Sequence, residues 1–221
     1  MIHSMKFMRR LFPPAARQPD TPQPFGYKQT WLTIASTASS AVARALNLTH
    51  AQLCTWEEGI HLALPHQLFV SPPILNWVFV VGQPLPRPDG HLLSQQIAPL
   101  LNRLSAEFGI AHYFSTNRVV EYHSWARSEA GRLVRGYAYL GERGETLWDE
   151  GASRTETELG LALFDERSPE ASDPAYWNRT DLQFPDEENV MQMARRWCVA
   201  PSDLTATDSQ PALGVRGDFG T

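Results

Sequence analysis

The chain has 221 residues, of which 43% are hydrophobic and 19% charged, and its net charge is −5. This is the composition of a globular chain long enough to bury a core, which sets aside disordered and fibrous classes. No apolar run approaches the roughly 18 residues that a membrane-crossing helix needs.

The opening segment "MIHSMKFMRRLFPPAARQPDTPQPF" carries cations but no apolar stretch of the kind that marks a secretory signal. It reads as a flexible arm over residues 1–26, with too few apolar anchors to make a membrane an expected partner. The globular domain is expected over residues 27–204, beginning with a strand at "QTWLTIAS" (29–36). A helix follows, in which Ser36 or Thr37 can cap "SAVARALN", Val42 and Leu46 lie one turn apart, and Asn47 can close the last turn. "TWEEGIHLAL" opens with the pair Thr55 and Glu58 at capping-box spacing and predicts a second short helix, weakened by Gly59.

"HQLFVS" (66–71) and "NWVFVVG" (76–82) read as strands, and the unbroken run "WVFVV" suits a strand covered on both sides. In "LLSQQIAPLLNRLSAEFG" (92–109), Leu93, Ile97, Leu100, Leu101, Leu104 and Phe108 form a helical stripe that Gly109 ends. Pro99 either kinks this helix or marks its first turn. Four strands are then expected as an antiparallel meander: "IAHYFS" (110–115), "RVVEYHSWARS" (118–128), "RLVRGYAYLG" (132–141) and "ETLWDEG" (145–151). "SRTETELGLALF" (153–164) begins with a second capping-box pair, Ser153 and Glu156, and predicts a helix. Residues 165–184, rich in Pro, Asp, Ser and Asn, read as a loop ordered by packing, and "PDEENVMQMARRWCV" as the last helix, with its acids in the first turn and Arg195 and Arg196 in the last. A disordered tail is expected over residues 205–221. Together these elements predict a single α+β domain, a mostly antiparallel sheet with helices packed on one face.

The sequence contains no Walker loop, GxGxxG, GxSxG, HExxH or EF-hand pattern, so nothing in it predicts a cofactor. Its seven histidines are scattered and do not predict a metal site. Cys54 and Cys198 have neither CxxC nor metal-ligand spacing and are expected as two reduced, mostly buried thiols, with a disulfide between them as the alternative.

Charge is unevenly distributed. Residues 141–190 hold 14 acids and 4 bases, a balance of −10, which leaves +5 for the rest of the chain. Such a region repels nucleic acid and phosphate and suits a basic protein partner, although solvated loops would look the same.

Candidate functional residues come from the hairpin of "RVVEYHSWARS" and "RLVRGYAYLG". If Ser128 pairs with Arg132 across a three-residue "EAG" turn, His123 faces Tyr137, Trp125 faces Arg135 and Glu121 faces Tyr139. One face then carries Glu121, His123, Trp125 and Arg127 with Arg135, Tyr137 and Tyr139, while the other is small and apolar. Trp, Tyr and Arg are the residue types of binding anchors. Glu121 or His123 as a base, with Arg135 as an anion clamp, would equally serve catalysis. A third reading is a buried cross-strand network under the loop at 165–184. With Trp148, Asp149 and Glu150 of the next strand, Glu121, His123, Trp125, Arg135, Tyr137 and Tyr139 make up the candidate binding set.

At "WLTIAS", "FVSPPILNWVFVVG", "RVVEYHSWARSEAGRLVRGYAYLGERGETLWDEG" and "PDEENVMQMARRWCV" the chain resembles a group of uncharacterised bacterial globular proteins, over roughly residues 29–203. That resemblance implies no activity. In general character the chain is similar to the small, acidic, cytoplasmic immunity proteins that accompany secreted antibacterial toxins, a likeness that transfers no residue. It implies a non-enzymatic cytoplasmic protein whose partner is a protein, such as a secreted toxin domain with a basic patch, with no cofactor, nucleic acid or membrane. The alternative is an enzyme or small-ligand-binding protein with a pocket around the hairpin at 118–140.

Overall fold

The computed structural model describes residues 17–61, 64–87 and 93–220. Most of the expected arm (1–16), two residues of the expected second helix (62 and 63) and the first residue of the long helix (92) lie outside the described residues.

In chain order the elements are β1 (Thr30–Ala35), α1 (Ser39–Ala45), β2 (Leu48–Cys54), α2 (Trp56–Ile60), β3 (Gln67–Val70), β4 (Trp77–Val81) and α3 (Leu93–Phe108). There follow β5 (Ile110–Asn117), β6 (Tyr122–Glu129), β7 (Arg132–Leu140), β8 (Glu145–Gly151), α4 (Arg154–Glu158), α5 (Glu187–Trp197) and β9 (Gly214–Phe219). The strands form one sheet in the order β2-β9-β3-β4-β1-β5-β6-β7-β8. Every neighbouring pair is antiparallel. The protein is a single α+β domain, as its element pattern predicts.

The helices cover both faces of the sheet rather than one. Val42 of α1, Leu46 at its C-terminal cap, and Ile97, Leu101 and Leu104 of α3 pack on Leu32, Ile34, Val78, Val80, Tyr113 and Ala126. Trp56 and Ile60 of α2, with Val190, Met193 and Trp197 of α5, pack on the opposite side against Trp31, Phe69, Phe79, Phe114 and Trp125. The run "WVFVV" carries the sequence signature of this arrangement. In β4, Val78 and Val80 enter one core while Phe79 and Val81 enter the other.

Local chemistry sets the helix ends unevenly. Thr55 and Glu58 close the capping box of α2, and Asp186 with Asn189 forms another at α5. Asn47, at φ 53, takes the left-handed position after α1. Ser153, however, makes no side-chain capping bond, and α4 is only five residues long. Pro99 lies inside α3 rather than at its start.

Both chain ends depart from expectation. Within the expected arm, Asp20 accepts bonds from the Trp56 and Glu57 amides at 2.7 and 3.0 Å, filling unpaired donor positions at the start of α2. Phe25 is buried edge-on against Trp31 and Phe79. At the other end, the segment expected as a disordered tail supplies β9, which lies between β2 and β3. Its sequence "GVRGDF" has two glycines and weak alternation, so nothing local marks it as a strand. Its hydrogen-bonding partners lie far earlier in the chain, in β2 and β3. The outer strand β2 is equally hard to read locally, because most of its side chains face solvent.

Candidate functional site

The β6–β7 hairpin turns through Ala130 and Gly131, both at positive φ (46° and 83°), so the loop has two residues and the mirror-image turn geometry that matches strand twist. The three-residue turn expected from "EAG" does not form. A bulge beside Arg127 takes up the difference, and the pairs are His123 with Tyr139, Trp125 with Tyr137 and Arg127 with Arg135. The register is displaced by two residues from the expected one. Because side chains alternate with period two, an even displacement keeps every residue on its face. His123, Trp125, Arg127, Arg135, Tyr137 and Tyr139 therefore do share one side.

That side is buried. Trp125 and His123 are fully enclosed, and Arg135 is 5% exposed. Glu121 is not on the strand. It occupies the preceding turn at φ 51, with its side chain largely in solvent. Trp148 and Glu150 point to the opposite face, where Trp148 joins the α3 core and its indole donates to Glu150 at 3.2 Å. Gly136 makes room for it, since a β-carbon there would fall inside the Trp148 ring.

The buried face resolves into two groups. In the first, the Nδ1 and Nε2 atoms of His123 lie 3.1 Å from the Thr116 hydroxyl and 3.2 Å from the Glu121 carboxylate. Burial holds this imidazole below its usual range, and Glu121 partly offsets the effect. In the second group, the Arg135 Nε donates to Glu156 at 2.8 Å and its Nη1 donates to Asp149 and to the Gly136 carbonyl. The Trp125 indole N–H donates to the same Glu156 oxygen. Its ring stacks on Tyr137 at 4.7 Å. Glu156 is thus the residue that sequence reasoning misassigned: it leaves the α4 cap to neutralise a buried guanidinium, the stronger of the two interactions.

These groups do not converge on a closed concavity. The cavity bordered by Arg135 is otherwise lined by Arg127, Glu129, Val134, residues 152–155 and Trp197, not by Glu121, His123 or Tyr137. Burial pushes the Cys54 thiol up to about 12 and the Cys198 thiol up to about 11, so neither free thiol supplies a thiolate at neutral pH. Among the described residues, no cluster of three His, Cys, Asp or Glu side chains is arranged to hold a metal ion, and no helix is long and apolar enough to cross a membrane.

The face does lead to the surface along a chain of rings. Tyr139 stacks on Phe184 at 5.5 Å, Phe184 on Phe164 at 4.7 Å, and Phe164 on Trp177 at 5.6 Å. Two of its members are open to solvent, Phe184 at 49% and Trp177 at 42% exposure. The loop that carries them is firmly pinned. Phe164 and Gln183 are joined through their backbones at 3.1 Å, the Tyr176 hydroxyl accepts the Asp165 amide at 2.7 Å, and the Trp177 indole donates to the Ala171 carbonyl at 2.9 Å. The same loop carries a shallow cavity of about 300 Å³ bordered by Glu170, Asp173, Ala175, Tyr176 and Arg179. Arg179 is itself neutralised by Asp181 at 2.5 Å. The sequence signal for this surface was the "AYWN" stretch, two aromatics in a segment otherwise too polar to be core.

Compared with protein-family models, curated proteins and solved structures, the chain matches none. Function has to be argued from the geometry.

Proposed function

We propose that the protein is a non-enzymatic cytoplasmic binding protein that holds a basic protein partner on the aromatic, acidic surface of residues 164–184, in the manner of an immunity protein covering a toxin's basic active-site surface. The observation that carries this reading is the exposure of Trp177 and Phe184 along a ring stack rooted in the sheet. Rigid aromatic anchors lose little entropy on binding, and these are ordered before any partner arrives. Glu170 and Asp173 border a cavity with the Tyr176 ring and offer a seat for a lysine or arginine side chain. The hairpin residues His123, Trp125, Arg135 and Tyr137 then support the surface from beneath and do not touch the partner.

Co-expression with the product of the adjacent gene tests the idea. The two chains are expected to co-purify and the protein to protect cells from that product. The double substitution Trp177→Ala, Phe184→Ala is expected to abolish both effects with the circular dichroism spectrum unchanged. Absence of co-purification together with absence of protection overturns the proposal.

A further inference from the structure

A second concave region lies where β1 begins and β5 ends. Two adjoining cavities of about 270 and 170 Å³ share Lys28, Thr30 and Arg87 as lining. Gln29 and Gly82 border the first, and Ser115, Asn117 and Tyr122 border the second. Although the protein carries a net charge of −5, no carboxylate borders either cavity among the described residues. Among the described residues, neither Lys28 nor Arg87 is held in an ion pair there.

The floor of the smaller cavity is a group of hydroxyls. Thr30, Ser115 and Tyr122 are all less than 5% exposed, and the first two lie 2.7 Å apart, hydroxyl to hydroxyl. The Tyr113 hydroxyl donates to the Pro86 carbonyl at 2.8 Å, which ties down the segment that carries Arg87. The Tyr122 hydroxyl, although buried, has no hydrogen-bond partner among the described residues. Its polar neighbours are the Tyr113 and Ser124 hydroxyls, whose protons go to the Pro86 and Tyr137 carbonyls and whose oxygens can accept from Tyr122. The cleft thus joins two cations to a group of hydroxyls whose rotatable protons can turn toward an incoming acceptor.

We propose that this cleft binds a small oxyanion, a phosphate or carboxylate group, with Lys28 and Arg87 supplying charge and the Thr30, Ser115 and Tyr122 hydroxyls supplying hydrogen bonds. The guanidinium fork matches two oxygens of such a group, and the ammonium acts as a point charge beside it. Cavities of 170 and 270 Å³ admit an ion or a compact metabolite rather than a drug-sized ligand. This site is separate from the aromatic, acidic surface, and the two stand or fall independently.

The test is calorimetric titration of the full chain in chloride buffer with inorganic phosphate in one arm and succinate in the other. Saturable binding of at least one anion is expected, and the arm that responds assigns the ligand to the phosphoryl or the carboxylate class. Lys28→Ala and Arg87→Ala should each weaken binding about tenfold or more, and Tyr122→Phe should weaken it severalfold with an unchanged melting temperature. Arg132→Ala, an exposed cation away from the cleft, should leave it unchanged. The proposal is overturned if neither anion binds saturably, or if the Lys28→Ala, Arg87→Ala double variant binds as the wild type does.

Discussion

Arg135 and Glu156 are joined at 2.8 Å in a nearly closed environment, with side chains 6% and 12% exposed. The pair ties the five-residue α4, which has no capping bond of its own, to the centre of β7. It also places the Glu156 carboxylate under the Trp125 indole N–H. Removing one partner of a buried pair leaves an uncompensated charge, a larger loss than the net value of the pair. Asp149 still contacts Arg135, so Glu156→Ala is expected to lower stability by about 2–4 kcal/mol. Urea denaturation followed by tryptophan fluorescence measures this, and a loss below about 0.5 kcal/mol would remove the pair from any structural role.

His112 predicts a pH dependence. It is fully enclosed, lies 2.9 Å from the Thr33 hydroxyl and stacks on Trp197 at 5.4 Å. Burial, and secondarily the Arg127 charge, push its pKa from 6.5 down to about 3. The unfolded chain therefore takes up the proton first. Its contribution is fully present above pH 6.5 and is lost as pH falls from there toward 3. Within that window the slope attributable to this residue approaches about 1.4 kcal/mol per pH unit. His112→Gln should flatten the stability profile between pH 6 and 4 relative to wild type, and parallel profiles would count against the assignment.

Gly136 should tolerate no side chain. Trp148 occupies the volume a methyl group would need, and the indole is itself packed in the α3 core. Gly136→Ala is expected to destabilise the protein by about 1–3 kcal/mol through overpacking. Pairing it with Trp148→Leu should recover part of that loss. Thermal melts of the single and double variants check this, and additive losses would refute the contact as the cause.

A truncation ending at Ala212 removes β9 whole and leaves β2 and β3 with unpaired facing edges. The shortened chain is expected to be expressed as insoluble protein or to lose its cooperative melting transition. If the truncated protein melts like the full chain, the last strand is dispensable.

How much of this was legible without the fold depends on the range of the interaction. The Thr55–Glu58 capping box, the Asn47 helix stop and the α3 stripe are set by residues within one or two turns of each other, and all three stand as expected. The sorting of the hairpin faces also survived a wrong turn length, because an even slip preserves alternation. Glu156 marks the limit of that approach. Its spacing from Ser153 met the local capping rule, but a buried guanidinium 21 residues away competed for it and won.

The amino-acid sequence by itself determined the α+β class, the meander from β5 to β8, the pairing of aromatic with charged residues on one hairpin face and the acidic character of residues 141–190. Only the tertiary structure decided that this face lies inside, that β9 fills the gap between β2 and β3, and that Lys28, Arg87, Ser115 and Tyr122 meet at one cleft. The reason is physical. Helix caps, turns and alternation are free-energy preferences of neighbouring residues, whereas burial of a face depends on which distant segment has the apolar surface and the length to cover it.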